Sequence, residues 1–355
     1  MSVLARLVIR SVLGYTLIVM AVLMLLSGLY LFITQQDDIG VGNYTLADAF
    51  LYVALNLPQY AFELFPIGAL IGALLGLGNL ARSSELVVMR ASGVSPLRIA
   101  GWSAMAGIVL AALTWGLGEY VAPPLEQYAR EHRAFAKFQE ISLTGGRNAW
   151  AKDGNTFIAA QQQSAENRFG GVYVVEFDEQ RRLVNVGRAA SASVGDENRW
   201  TLENYVGSRF EGDRVIPETK ARSELSTRLS PDFLGLAIVN PDSLPARALY
   251  QYVIHLRANG LESGAYEVAF WARIARTAAL IVVVMLAVPF AFGPMRSTGT
   301  GARTVVGILI GAGFFLLSRM LESGGAVFNL PPLAIAWGPT VLLAILTIGA
   351  IARVR

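Results

Sequence analysis

The chain has 355 residues, of which 54% are hydrophobic and 15% charged. A soluble protein of this size carries about 25% charged residues, so the deficit points to a membrane. Cysteine is absent and the two histidines, His132 and His255, lie far apart, which excludes a disulfide framework, a thiolate metal site and a zinc site built from His and Cys. The net charge of +3 is too small to mean anything until its placement is known, and no nucleic-acid partner is expected.

A helix needs about 20 apolar residues to cross the hydrocarbon core. Residues 12–33 carry no charge, 50–80 carry only Glu63, and 99–118 carry none. Further on, 277–295 carry none, 304–321 carry only Arg319, and 323–352 carry none, although Gly324, Gly325, Asn329, Pro331 and Pro332 read as a loop before the last helix. The fold class expected is therefore an α-helical membrane protein with six transmembrane helices and one large insert. The first span is too long for a signal-peptide core, and no small-residue cleavage pattern follows it, so it is expected to stay as an anchor.

Loop charge sets the orientation. One set of helix ends carries Arg6, Arg10, Arg82, Arg90, Arg98, Arg296, Arg303, Arg353 and Arg355 against the single acid Glu85. The opposite short loops carry Asp37, Asp38, Asp48 and Glu322. The basic set is expected in the cytoplasm, with both termini inside and the long segment after the third span outside, in the periplasm of a bacterium.

Between the second and third spans, residues 81–96 read ARSSELVVMRASGVSP. Ser83 or Ser84 can cap a helix here, and Glu85 sits in the first turn, where the helix dipole favours an acid. Leu86, Val87, Val88 and Met89 give a short apolar surface, Gly93 is a good residue just past the helix end, and Pro96 forbids continuation. The spacing predicts a two-turn helix. Two roles stay open from the residues alone: an interfacial helix on lipid headgroups, or a helix docked in a groove of a cytoplasmic ATPase, with its acid paired to a partner arginine.

Residues 119–276 hold 20 acidic and 19 basic side chains. Within them, 155–161, 171–177, 183–194, 199–208 and 220–228 alternate or are β-branched, and turn residues separate them (Asp178-Glu179, Gly195-Asp196, Glu211-Gly212-Asp213). Strands at this spacing suggest a sandwich or jelly roll, an all-β domain whose open edges can accept another strand. Helices flank it at 123–140 and 244–259. The expected organisation is transmembrane helices one to three with the coupling segment near 83–93 (1–118), a periplasmic β domain (119–270), and helices four to six (271–355).

No phosphate-binding GxxxxGK[ST] loop occurs, and no Ser/His/Asp or Cys/His set can be assembled. No catalytic or metal-binding residue is therefore expected, and no cofactor on this chain. Glu63, Arg319 and Glu322 fall near the outer ends of their helices rather than at the midplane, so the pattern shows no proton relay.

The runs LLGLGNLARSSELVVMRASGVS (74–95), GEYVAPPLEQYAREHRA (118–134), WAKDGNTFI (150–158) and FGPMRS (292–297) resemble the LptF/LptG permease family of the lipopolysaccharide exporter, and the resemblance covers essentially the whole chain. Residues 229–260 tip it toward the LptG side of the family rather than the LptF side. The resemblance implies a permease subunit paired with an LptF-like paralogue, an LptB-like ATPase dimer that uses ATP and Mg, and an LptC-like bitopic protein. Lipopolysaccharide would be lifted from the outer leaflet of a Gram-negative inner membrane and passed to a periplasmic bridge. The implied coupling residues are Ser84, Glu85, Leu86, Val87, Met89, Arg90 and Gly93.

A cavity for such a lipid needs apolar walls and a basic rim for sugar phosphates. Rim candidates are Arg130 and Arg133, three apart on one helix face and matching the family's arginine run, with Arg273, Arg276 and Arg319. Wall candidates by helical spacing are Leu26, Leu29 and Phe32 on the first span and Phe314, Leu317 and Leu321 on the fifth. Asp37 and Asp38 stand where relatives tend to carry lysine, and acids there repel a phosphate. Glu63 beside Pro66 is expected to bond backbone freed by the proline. Two further readings compete: a membrane anchor for a periplasmic scaffold, and an ion-driven carrier that depends on Glu63.

Overall fold

The computed structural model describes residues 2–137, 149–160, 162–164, 168–178, 180–194, 199–212, 214–226, 241–292, 300–324 and 330–353. The chain divides into a helical unit (Met1–Gln139, Pro245–Tyr250, Gly264–Arg355) and a sheet unit (Glu140–Leu244, Gln251–Ser263).

The helical unit opens with α1 (Val3–Gln35), capped by the Ser2 side chain, which accepts the Ala5 amide. Helix α2 (Leu46–Arg82) starts in a capping box: Thr45 accepts the Asp48 amide while Asp48 takes the Thr45 amide. It runs unbroken through Pro58 and Pro66, as helices packed among neighbours in a membrane can. Short α3 (Glu85–Ala91) and then α4 (Pro96–Gly116) follow, the latter with proline at its first position and Ser95 as its cap. A π-helical turn, Leu117–Val121, joins α4 to α5 (Ala122–Lys137). Helix α6 (Ala246–Ala258), α7 (Gly264–Phe292), α8 (Thr300–Gly324) and α9 (Pro332–Ala352) complete the helices.

Among the described residues, five stretches are long and apolar enough to cross a membrane: Val3–Asp38, Leu46–Arg82, Pro96–Arg130, Gly264–Phe292 and Pro332–Ala352. The segment expected as the fifth span lies inside α8, a helix of 25 residues. The fourth expected span, 277–295, belongs to a longer helix that begins at Gly264. It takes in Arg273 and Arg276 because both charges are paired. Most of the expected FGPMRS run, and Arg296, lie outside the described residues.

Helices α1 and α2 pack most closely. A Cβ at Gly68 would overlap Met20, one at Gly72 would overlap the Thr16 backbone, and one at Gly76 would sit 2.9 Å from the Ser11 carbonyl oxygen. These glycines recur every four residues, so they line one face and let the backbones touch. Ser11 Oγ donates to the Gly76 carbonyl across the seam (3.0 Å). Gly107 of α4 plays the same part against α7, where a Cβ would lie 2.8 Å from Ile281 Cα. The core runs from Val8 and Val12 through Leu70, Leu74 and Leu77 to Ile99, Leu110, Leu280 and Val284, all nearly or fully buried.

In the sheet unit, β1 (Ala149–Asp153), β2 (Thr156–Ala160), β3 (Gln162–Ser164), β4 (Arg168–Phe177), β5 (Leu183–Val194), β6 (Arg199–Glu211) and β7 (Arg214–Ser226) form one antiparallel sheet in the order β1-β2-β4-β5-β6-β7, with β3 also on β4. Strands β1 (Ala149–Asp153) and β3, the latter only three residues long, escape the sequence reading. Strand β7 begins six residues before its expected start, and Pro217 lies inside it. Among the described residues β7 pairs only with β6, and a strand with one open side tolerates the proline. One face buries Ile158, Val172, Val174, Ala189, Trp200, Leu202 and Tyr205. The Tyr205 ring covers the paired glycines Gly187 and Gly207, and its hydroxyl donates to Asn185 Oδ1 (3.0 Å).

Candidate functional site

Helix α3 has seven residues. Leu86 and Met89 are buried against the helical core, whereas Val87 and Val88 face outward, so the apolar surface expected here is split between two faces. The expected serine cap is also realised differently. Ser84 takes the left-handed conformation (φ 62°) and its side chain makes no cap bond. Ser83 Oγ donates instead to Glu85 Oε1 (2.9 Å) and to the Asn79 carbonyl (3.2 Å), tying the half-buried acid to the end of α2. At the other end Gly93 (φ +87°) lets the Val94 amide reach back to the Met89 carbonyl (3.0 Å), the closure expected of a glycine just past a helix. Beside α3 an open depression of about 350 Å³ is lined by Ala81, Leu86, Val87, Arg90, Ala91, Ala291 and Phe292. The Arg90 guanidinium lies over the Phe292 ring at 5.5 Å.

The candidate rim arginines fall into separate groups. Arg130 pairs with Glu126 (3.1 Å). Arg133 and Lys137 both hold Asp38, and the Arg133 guanidinium stacks on Tyr52 at 5.1 Å. Burial is the largest single influence and works against the Arg133 charge, but the hydrogen bond and charge of Asp38, together with Tyr52, outweigh it and raise the pKa above the ordinary value. The Asp38 charge, one of the two acids expected to repel a phosphate, is thus balanced inside the chain by two cations. Nearby, His132 lies 3.7 Å from Asp48.

Arg273 is buried. Its Nε donates to Glu119 Oε1 (2.8 Å), an Nη donates to the Gly118 carbonyl, and its guanidinium covers the Phe62 ring at 4.5 Å. The π turn explains the second bond. The Ala122 amide reaches Leu117 rather than Gly118, and Pro123 has no amide to give. The Gly118 carbonyl therefore lacks a backbone donor and takes one from Arg273. Both Glu119 oxygens also accept the Ala246 amide at the start of α6 (2.8 and 2.9 Å). Sequence reading passed over Glu119 entirely; the adjacent pair Pro123-Pro124 was the available signal.

Arg276 and Arg319 do come together, through Glu322. Arg276 donates to both Glu322 oxygens (3.1 and 3.3 Å), and Arg319 lies 3.6 Å from Glu322 and 3.7 Å from Glu63. Glu63 also accepts from Gln59 Nε2 (3.1 Å). The expected backbone role of Glu63 is thus replaced by side-chain partners, because Arg319 offers a full charge. Among wall candidates, Leu26, Leu29 and Leu317 are exposed, Phe32 stacks on Phe50 (4.7 Å), Phe314 packs against the core, and Leu321 is half-buried. Among the described residues no cluster of three or more His, Asp or Glu could hold a metal ion.

Long apolar helices, charges paired at their ends and a separate antiparallel sheet define a polytopic helical membrane protein with a β insert. The profile described as "Lipopolysaccharide export system permease LptF/LptG" matches residues 6–353, and the chain belongs to that family. It is similar to "Lipopolysaccharide export system permease protein LptG" of Escherichia coli (strain K12), at 35% identity over 343 residues, 96% of this chain and 95% of that protein. The protein of the same name from Haemophilus influenzae is 32% identical over 347 residues, 98% of this chain and 97% of that protein.

Proposed function

We propose that the chain is the LptG-type permease subunit of an ATP-driven exporter that draws lipopolysaccharide from the outer leaflet of the inner membrane. The observation that carries the reading is its 35% identity to an LptG permease over 96% of the chain. In this reading α8 is the fifth of six spans, both termini are cytoplasmic, and the sheet unit is the described part of a periplasmic jelly roll. An LptF-like paralogue completes the cavity, an LptB-like ATPase dimer supplies the ATP chemistry, and an LptC-like protein receives the lipid.

Two features support the assignment of parts. Helix α3 is anchored by Leu86 and Met89 and leaves Val87 and Val88 exposed, with the half-buried Glu85 beside them, as a helix that docks on a partner requires. Exposed leucines on α1 (Leu26, Leu29) and α8 (Leu309, Leu316, Leu317) offer apolar surface for acyl chains or a second permease. The deciding experiment is purification of the tagged chain from its native membrane in mild detergent, followed by mass spectrometry. Recovery with a second permease and a soluble ATPase supports the reading. Recovery alone under several detergents moves weight to a membrane anchor or an ion-driven carrier.

A further inference from the structure

Glu63 on α2, Arg276 on α7, and Arg319 and Glu322 on α8 make a chain of alternating charge across three helices. Two cations and two carboxylates sum to zero, so the cluster as it stands has no net charge to draw an anion. The two arginines are not held alike. Arg276 is hydrogen-bonded to Glu322, whereas both carboxylates sit 3.6–3.7 Å from Arg319, at ion-pair rather than hydrogen-bond distance.

The same residues line a crevice. Glu63, Pro66, Ile67, Arg276, Phe314 and Arg319 enclose about 10 Å³, room for roughly one water and far too little for an acyl chain or a phosphate. Its walls are nonetheless those of a site for an amphiphilic anion: aromatic and aliphatic side chains with two guanidinium groups at one side. Both arginines are paired with the chain's own carboxylates.

We infer that Glu63 and Glu322 are internal counter-anions, holding Arg276 and Arg319 over the closed crevice until a phosphate-ester anion takes the arginines from them. Because α8 carries both Arg319 and Glu322, the exchange requires α8 to shift against α2 and α7. Glu63 and Glu322 then set the selectivity of the site: each is a competitor that a phosphate must displace, and a neutral lipid gains nothing by entering. The inference rests on the exporter reading for the source of the phosphate.

The test uses the full chain, with whatever proteins co-purify, in mild detergent. Dissociation constants are measured for bisphosphorylated lipid A and for its fully dephosphorylated form, and the readout is their ratio. Structural damage weakens both lipids together and leaves the ratio in place. Glu63→Gln and Glu322→Gln are each expected to raise the preference for the phosphorylated lipid by about threefold, the size of one partly exposed ion pair released. Arg319→Gln is expected to lower it. Millimolar inorganic phosphate is expected to leave the bound lipid in place. A ratio unchanged in both glutamine variants, with the wild-type preference intact, overturns the counter-anion role while sparing the exporter reading. Displacement by inorganic phosphate assigns the exchange to a soluble anion and overturns the lipid source. Failure of the wild-type protein to bind either lipid sinks the exporter reading and this inference with it.

Discussion

Arg273 shows what a single side chain does when its surroundings leave no water. The guanidinium is 4% exposed, and its partner Glu119 is 9% exposed. Removing one member of such a pair strands the other charge in a medium that cannot solvate it, at a cost of about 3–5 kcal/mol. Arg273→Leu also strips the Gly118 carbonyl of its donor. The expected outcome is a lower unfolding temperature of the detergent-solubilised chain, and a double variant with Glu119→Gln should recover part of the loss. In the sheet unit His255 makes the opposite case. Desolvation lowers its pKa below the usual 6.5, with the Asp153 charge pulling the other way. A depressed histidine stabilises the fold above its unfolded pKa and loses that contribution as pH falls through the folded one. Protection of the α6 amides from hydrogen exchange should therefore weaken below pH 6.5, and His255→Gln should flatten that dependence. At this scale the sequence was only partly legible. Arg276, Arg319 and Glu322 could be picked out as charges near helix ends. That Arg273 belongs to Glu119 could not, because 154 positions, the sheet insert among them, separate the pair.

At the scale of elements, the seam between α1 and α2 is set by glycines rather than by large side chains. Lipid tails are as apolar as leucine, so helices in a bilayer gain little from hiding leucines and much from close backbone contact. Gly72→Leu should force α1 away from α2 and break the Ser11 to Gly76 bond. The expected result is loss of the folded chain at the usual detergent concentration, read as aggregation on size-exclusion chromatography, whereas Gly14→Ala, whose Cβ meets nothing within 4 Å, should be tolerated. Helices were legible from apolar runs because a spanning segment needs a minimum length. Their ends were not. Helix α7 starts well before the apolar run, since paired arginines are compatible with a helix interior, and β7 starts early because an edge strand accepts Pro217. The four-residue glycine spacing stood in the sequence unread.

For the whole molecule, the proposed function joins a docking helix at one end of the bundle to paired charges at the other. Glu85→Ala should leave membrane insertion and unfolding temperature unchanged while lowering lipid-stimulated ATPase activity of the purified assembly several-fold. Full coupling in that variant removes Glu85 from the docking surface. Helix α3 was readable as an element because Glu85, Gly93 and Pro96 are local signals. Its orientation was not, since Leu86, Val87, Val88 and Met89 look alike until the core claims two of them.

The π turn between α4 and α5 has a mechanical meaning. A beam clamped at an interior point deflects as two shorter levers that share a fulcrum. Arg273 is that clamp, gripping the helix at a carbonyl its own backbone leaves untied and at Glu119 beside it. The far end of α5 is held as well, by Arg133 and Lys137 on Asp38 beyond α1, so the joined helix is fixed at an interior point and again at its tip.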